Sequence, residues 1–270
     1  MLRYKTLQII SGSDSSGGAG MQADIKTATS LGVYSLSALT ALTAQNTCGV
    51  SEILDIDEKF VKAQLDTNYE DIKCDAVKIG MLHKKSLIKE IKDFLLKNKI
   101  QNIVLDPVMV STSGAVLLEE DAILSLKNDL FPLADIITPN LHEARLLFEK
   151  DINTKEDAQN ACLYLGTFGC KYVLIKALEY EEGFSIDCLY SVETKEFTYF
   201  KNKKIDTLNT HGTGCSLSSA IASYLALGFK IEEACQKANT YVNEAITSGS
   251  KYKIGKNTGP INHMYKIMKD

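Results

Sequence analysis

Short apolar runs alternate along the chain with longer segments in which apolar residues recur every three or four positions. The short runs predict β-strands: LQII (7–10), SLSALTAL (35–42), DAVKI (75–79), NIVLD (102–106), ADIIT (134–138) and YVLI (172–175). The longer segments predict helices: GMQADIKTATSLG, DEKFVKAQLDTNYED, KSLIKEIKDFLLKN, EEDAILSLKNDLF, NLHEARLLFEK and KEDAQNACLYLGTFG. Strands that alternate with helices predict an α/β fold, with a central, mostly parallel β-sheet covered by helices on both faces.

The pattern changes after residue 180. SIDCLYSV and EFTYF predict a hairpin around ETK, and two helices follow near residues 214–228 and 231–248. No repeat, linker or low-complexity segment interrupts the chain, and it has only four prolines. The pattern therefore favours one domain, residues 1–270.

Composition narrows the function classes. The chain is 45% hydrophobic and 24% charged, as is typical of a globular protein rather than a membrane protein. A net charge of -4 argues against a nucleic-acid partner, which would require a basic face. The amino-terminal apolar run is too short for a signal peptide, and the seven cysteines contain no CxxC pair. We therefore expect a cytoplasmic protein with reduced thiols.

A loop rich in glycine and serine, SGSDSSGGAGMQAD (11–24), follows the first predicted strand. It lacks the GK[ST] of a Walker A loop and the spacing of GxGxxG. A flexible turn would explain the glycines alone. The functional alternative is a loop whose backbone closes on a small ligand, since ligands of such sheets gather where strands end and helices begin.

Gln45 and Asn46 end the second predicted strand, in TAQNT (43–47). Both are common turn residues. A primary amide also offers one acceptor and two donors, which match the edge of an aminopyrimidine ring. The residues alone leave both interpretations open.

Three oxygen-bearing residues follow later strands. Asp106 is either a turn cap or a carboxylate that holds magnesium through water. Asn140 and Glu143 have the spacing of a capping box, which also places both side chains on one helix face towards a metal. The small-residue stretch STSG (111–114) is a candidate for a mobile segment over the pocket.

Two residues could act on phosphate groups. Lys176 ends a strand and is either a solubilising charge or a phosphate clamp. Cys215 follows a glycine turn in NTHGTGCSLSSAI (209–221), where a helix begins. Free N–H groups and the helix dipole make such a terminus an anion site and predict a lowered pKa for the thiol. The alternative is an ordinary helix cap.

Seven sequence blocks occur together and in order. They are SGSDSSGGAGMQADIKT, TALTAQNT, KIGM, DPVMV, ITPNLHEA, NTHGTGCSLSSAIA and GPINH. In this the chain resembles the hydroxymethylpyrimidine/phosphomethylpyrimidine kinases of thiamin biosynthesis, within the ribokinase superfamily, from about residue 7 to residue 265. The resemblance implies a ribokinase-like fold, ATP with Mg²⁺, and two successive phosphoryl transfers that convert 4-amino-5-hydroxymethyl-2-methylpyrimidine to its monophosphate and then its diphosphate.

The resemblance also implies roles for individual residues. It assigns the pyrimidine to Asp24, Gln45, Gly80, Met81 and Val108; the phosphates to Lys176, Thr210, Gly212, Thr213 and Gly214; magnesium to Asp106, Asn140 and Glu143; and catalysis to Cys215, as the base, with Lys176. The chain departs from the pattern at 176–180, where KALEY stands in place of the expected KGGH. The nucleotide-contacting turn must therefore take another shape.

Three other functions remain open. A pyridoxal kinase of the same type has a similar first loop and a glycine turn with cysteine, but TAQNT and KIGM favour the pyrimidine. A sugar kinase fits the first loop and the cysteine less well. A pyrimidine-binding regulator without catalysis would not need Asp106, Glu143, Lys176 and Cys215 together. From the resemblance we also expect a homodimer.

Overall fold

The structure is a computed structural model that describes residues 2–110 and 117–268, with Glu120 described in its backbone only. The strands are β1 (Thr6–Asp14), β2 (Tyr34–Asn46), β3 (Gly49–Asp55), β4 (Ala76–Ile79), β5 (Ile103–Leu105), β6 (Ile136–Ile137), β7 (Tyr172–Leu178), β8 (Phe184–Ser191) and β9 (Phe197–Lys203). The helices are α1 (Gly20–Ser30), α2 (Glu58–Asp71), α3 (Lys85–Lys97), α4 (Glu120–Ser125), α5 (Leu141–Phe148), α6 (Lys155–Gly166), α7 (Thr213–Ala226) and α8 (Ile231–Gly249). The STSG stretch lies outside the described residues.

The strands form one sheet in the order β3-β2-β1-β4-β5-β6-β7-β8-β9. The six central strands, β2, β1, β4, β5, β6 and β7, pair in parallel. At the two edges, β3, β8 and β9 pair antiparallel. This confirms the mostly parallel sheet and the late hairpin. The sequence pattern missed β3, because no residue of this edge strand is fully buried and it has no continuous apolar run.

Each face of the sheet carries its own hydrophobic core, because a parallel sheet is buried on both sides. Ile10, Val77 and Ile79 point to the face covered by α2 to α6. Ile9 and Ala76 point to the face covered by α1, α7 and α8. Side chains alternate along a strand, so Lys78, between Val77 and Ile79, points towards α1 and α7.

The predicted helix over 119–131 is interrupted. Helix α4 ends at Ser125, and the chain continues as one wide π turn (Leu126–Leu130) and a 3₁₀ turn (Phe131–Leu133) that contains Pro132. Proline cannot donate a helical hydrogen bond and so ends the segment. Within residues 2–110 and 117–268, the helices are all too short or too polar to span a bilayer.

Candidate active site

A cavity of about 480 Å³ opens where β1, β5 and β7 end and α7 begins. Its lining includes the loop after β1, Gln45 from β2, Lys176 from β7 and the first turn of α7. Its outer part is lined by side chains of β8, β9 and α8. Such a position and volume are typical of the ligand site of an open α/β sheet.

Asp14 organises the loop after β1. Its carboxylate accepts hydrogen bonds from the backbone N–H groups of Ser16, Gly18 and Ala19, and it lies 2.8 Å from Nε2 of His211. Burial opposes the charge, but the hydrogen bonds from His211, Ser16 and Ala19 outweigh it and lower the pKa of Asp14 to about 2. The glycine-rich loop is therefore fixed by an ionised aspartate rather than being an open flexible turn.

Gly212 joins this loop to the second glycine turn. It precedes α7 with a left-handed φ of 83°, and a Cβ added there would lie 1.8 Å from the carbonyl oxygen of Gly18. Only glycine fits such a position. The N–H groups of Gly214 and Cys215, in the first turn of α7, have no carbonyl partner within the helix. This terminus can therefore receive an anion.

Lys176 and Asp106 form an ion pair beside this helix terminus. The Lys176 Nζ lies 2.7 Å from Oδ1 of Asp106. The Thr138 hydroxyl donates to the same oxygen, and the Ser218 hydroxyl donates to Oδ2. Burial disfavours the ammonium, but Asp106 and Glu143 outweigh burial and raise the pKa of Lys176. Lys176 is therefore a permanent cation, and a Cβ added at Gly214 would lie 3.3 Å from its Nζ. A glycine at 214 lets the helix terminus approach the ammonium.

Asn140 and Glu143 form the capping box that their spacing predicts. The Asn140 side chain accepts from the backbone N–H of Glu143 at 2.9 Å, and Glu143 accepts from that of Asn140 at 2.8 Å. Burial raises the pKa of Glu143 to about 7, with a further contribution from Asp106.

The residues assigned to magnesium already have partners within the protein. In the described part of the chain, no three His, Cys, Asp or Glu side chains are grouped to hold a metal ion. Asp106 is paired with Lys176, and Glu143 is held by its cap. Asp106 is still close enough to Glu143 to raise the pKa of the Glu143 carboxyl. Their oxygens fit Mg²⁺ held through water, since Mg²⁺ keeps several water ligands.

The environment of Cys215 differs from the expectation. The sequence predicted a lowered thiol pKa at the helix terminus, but burial raises the pKa of Cys215 to about 11. Lys78 lowers it, whereas Asp24 and Asp106 raise it. The thiol of the free protein therefore holds its proton at neutral pH, because lost solvation, together with Asp24 and Asp106, outweighs the effect of Lys78.

Two residues that the resemblance assigns to the pyrimidine are not among the cavity lining. Asp24 is fully buried and pairs with Lys78 at 2.7 Å, with both side chains 0% exposed. Gly80 lies behind the cavity, where an added Cβ would be 2.7 Å from the Lys78 Nζ. We therefore correct both assignments: Asp24 binds a lysine, and Gly80 leaves space for it.

The other assigned residues meet at the cavity. Its lining includes Gln45, Met81, Val108, Asp106, Asn140, Glu143, Lys176, Thr210, Gly212, Thr213, Gly214 and Cys215. Sequence reasoning missed Asp14 and His211, although His211 stands directly before the GTGC turn. His211 Nε2 also lies 3.4 Å from the Gln45 amide nitrogen, so the imidazole lies between Asp14 and the glutamine.

The KALEY turn takes a left-handed shape. Ala177 has a φ of 55°, which L-residues other than glycine rarely adopt. Its backbone N–H donates to Oδ1 of Asp187 at 2.9 Å, and Asp187 also accepts from the Asn239 amide. The turn therefore keeps a glycine-like conformation without glycine.

The fold and the cavity define a class: an α/β protein that joins an anion-binding helix terminus to a lysine and two carboxylates, as phosphoryl-transfer sites do. Comparison with known proteins gives the family. The family profile described as phosphomethylpyrimidine kinase matches residues 14–262. The chain therefore belongs to the phosphomethylpyrimidine kinase family, as its sequence blocks indicated.

Individual relatives agree with this family. A hydroxymethylpyrimidine/phosphomethylpyrimidine kinase of Rhizobium meliloti is 41% identical over 97% of this chain and 97% of its own. A thiamine biosynthesis bifunctional protein of Geobacter sulfurreducens is 44% identical over 94% of this chain, but this chain spans only 51% of that longer protein.

A solved structure, the ADP complex of Bacillus subtilis pyridoxal kinase, superposes with a TM-score of 0.88 over 98% of this chain and 99% of its own, at 32% identity. The ribokinase-like fold is thereby confirmed.

Proposed function

We propose that this protein uses ATP to phosphorylate 4-amino-5-hydroxymethyl-2-methylpyrimidine, and then phosphorylates the monophosphate to the diphosphate. The observation that carries the proposal is a single cavity lined both by the Gln45 amide and by the Lys176 and α7 phosphate site. The name of the Rhizobium meliloti relative, which matches over nearly the full length of both chains, supports the same activity.

Each lining residue has a role in this proposal. Gln45 offers an acceptor and two donors to the aminopyrimidine edge, and Met81 and Val108 offer apolar contacts to the ring. The hydroxymethyl oxygen forms a bond to the γ-phosphorus as the bond to ADP breaks. The N–H groups at the start of α7 and Lys176 stabilise the charge that develops on the phosphoryl oxygens.

Cys215 would receive the proton that the substrate hydroxyl loses, as a thiolate. Because the free thiol has a pKa of about 11, most of the rate should come from charge stabilisation and positioning rather than from the base. Thr210, Gly212, Thr213 and Gly214 would hold the phosphates through the backbone and the Thr side chains of the turn.

Mg²⁺ accompanies ATP in this proposal. Asp106, Glu143 and Asn140 would hold it through water, and when bound it would neutralise charge on the transferred phosphoryl group. The hard oxygen donors of this set suit Mg²⁺. Lys176, released from Asp106 by the arriving negative charge, would then bind the phosphates.

The test offers ATP with the hydroxymethylpyrimidine, its monophosphate and pyridoxal in parallel, and identifies products by mass spectrometry. We expect monophosphate first and diphosphate after long incubation. Monophosphate without any diphosphate would overturn the second step. Turnover of pyridoxal alone would support a second candidate, a pyridoxal kinase, which the close superposition on the Bacillus subtilis enzyme favours.

Binding of the pyrimidine without turnover of any substrate would contradict this activity and indicate a regulator. We also propose a homodimer, which light scattering of the purified protein would test. A cytoplasmic location would be tested by cell fractionation.

A further inference from the structure

Lys78 lies in a part of the site that the proposed reaction does not use. Its side chain is 0% exposed, as is that of its partner Asp24. A sealed ion pair is weak support for stability, because both charges lose their water. Its position under the reacting end of the cavity therefore calls for another explanation.

A hydrogen bond joins α1 to α7 one helical turn beyond Cys215. The Ser219 hydroxyl donates to Asp24 at 2.7 Å. Cys215 and Ser219 are four residues apart on α7, so their side chains share a helix face, which the Ser219 contact turns towards Asp24.

Lys78 reaches the same carboxylate from the sheet. Its Nζ donates to Asp24 at 2.7 Å from β4. A Cβ added at Gly80, which directly follows β4 and stands two residues beyond Lys78, would lie 2.7 Å from this Nζ and 2.6 Å from the Ser11 hydroxyl. The missing side chain at Gly80 thus lets the ammonium extend towards the carboxyl end of the strand, where Cys215 lies.

We propose that Lys78 is a positioning residue of the phosphoryl-transfer site, which fixes the amino-terminal half of α7 through Asp24 and Ser219 and places a permanent positive charge near the Cys215 thiol. This positioning role rests on the proposed function, but its effect is on the pKa of the Cys215 thiol, which can be measured without the reaction. Burial disfavours the ammonium, yet Asp24, Cys215 and Asp106 outweigh burial and raise the pKa of Lys78, so the charge persists.

Charged groups from four elements face the thiol. They are Lys78 on β4, Asp24 on α1, Asp106 after β5, and Lys176 on β7, whose pKa the thiol raises. Removing the Lys78 charge should raise the pKa of Cys215, and removing the Asp24 charge should lower it. A merely structural pair would instead move stability alone.

The test measures alkylation of Cys215 by iodoacetamide against pH, followed by mass spectrometry of its peptide, in the full-length protein without substrates. Asp24→Asn should speed alkylation at pH 8 by about tenfold, which is one unit in pKa, and Lys78→Met should slow it by a similar factor. The double variant Lys78→Met/Asp24→Asn, which buries no charge, should react at a rate between those of the two single variants.

Asp135→Asn is the matched control. Asp135 also accepts from a lysine, Lys171, but at the amino ends of β5 and β6, away from Cys215. This variant should leave Cys215 alkylation unchanged whatever its stability. If Lys78→Met does not fold, the alkylation rates of Asp24→Asn and of the double variant still test the proposal. Unchanged or slower alkylation in Asp24→Asn overturns the proposal. The alkylation assay contains no substrate, so its result can be distinguished from a failure of the proposed kinase activity.

Discussion

Two lysine–aspartate pairs lie at the reacting end of the sheet and differ in their access to the cavity. Lys78 and Asp24 are each 0% exposed, and the pair is sealed between β4, α1 and α7. Lys176 and Asp106 also approach to 2.7 Å, but both line the cavity. The sealed pair can only act as fixed charge, whereas the open pair can exchange partners with an arriving phosphate. The same type of ion pair can thus serve two functions, depending on whether it is open to the cavity.

The largest effect should come from removing the lysine of the accessible pair. Lys176→Ala should lower the phosphorylation rate by about 10²–10³-fold, because the ammonium stabilises charge on the transferred phosphoryl group. Pyrimidine binding should change little. Steady-state rates and calorimetry with the pyrimidine would check both.

Lys171→Ala is the control for this prediction, since Lys171 pairs with Asp135 at the amino ends of β5 and β6, opposite the cavity. Equal losses of rate and pyrimidine affinity in Lys176→Ala would move this lysine from the phosphate site to a structural role.

The next effect concerns the thiol between the two pairs. Cys215→Ala should retain the fold and ATP binding, because alanine supplies the same backbone N–H, while single turnover falls by about 10²-fold. With a thiol pKa near 11, the rate of the unmodified protein should rise from pH 7 to pH 9, and the alanine variant should lack this rise. Cys215→Asp should recover part of the rate.

Cys74 offers a matched control, because burial also raises the pKa of this thiol to about 11, before β4. Cys74→Ala should keep both the rate and its pH dependence. A Cys215→Ala rate within about threefold of the unmodified protein, well short of the loss of a positioned base, would contradict the base role.

A third buried aspartate sharpens the comparison between the sealed and the open pair. Asp14 and His211 line the cavity, as the open pair does, yet Asp14 also holds backbone N–H groups and so cannot exchange partners. Asp14→Asn should cost about 2 kcal/mol of folding stability at pH 7, from a pKa lowered from 3.8 to about 2.

The pH dependence has a definite sign. The folded pKa of Asp14 lies below the unfolded value, so its contribution is present above about pH 4 and is lost as pH falls towards 2. Urea unfolding of protein and variant from pH 6 to pH 2 should show the difference narrowing. A difference that stays constant would rule out the charge as its cause.

The sequence predicted the fold because the central strands are continuous apolar runs buried on both faces. It missed β3, whose exposed edge position leaves no such run. All the residues that the motifs and the family resemblance assigned to a site line the cavity, except Asp24 and Gly80, because the motifs follow strand ends. The predicted lowering of the Cys215 pKa was wrong. This pKa depends on Asp24, Lys78 and Asp106, whose positions in space the local sequence pattern does not contain.

The smallest effect tests the turn beside the open pair. Ala177 follows Lys176 with a left-handed φ of 55°, so Ala177→Gly should relieve strain and raise folding stability by up to about 1 kcal/mol, after the added chain entropy of glycine is subtracted. Ala63→Gly, at an exposed position within α2, is the control and should lower stability by about 1 kcal/mol. Urea unfolding would compare the two. Opposite signs support a strained turn that Asp187 holds in place through its hydrogen bond to the Ala177 N–H. A loss in both would mean that Ala177 carries no strain, and that the exchange of KGGH for KALEY costs this site nothing in its backbone.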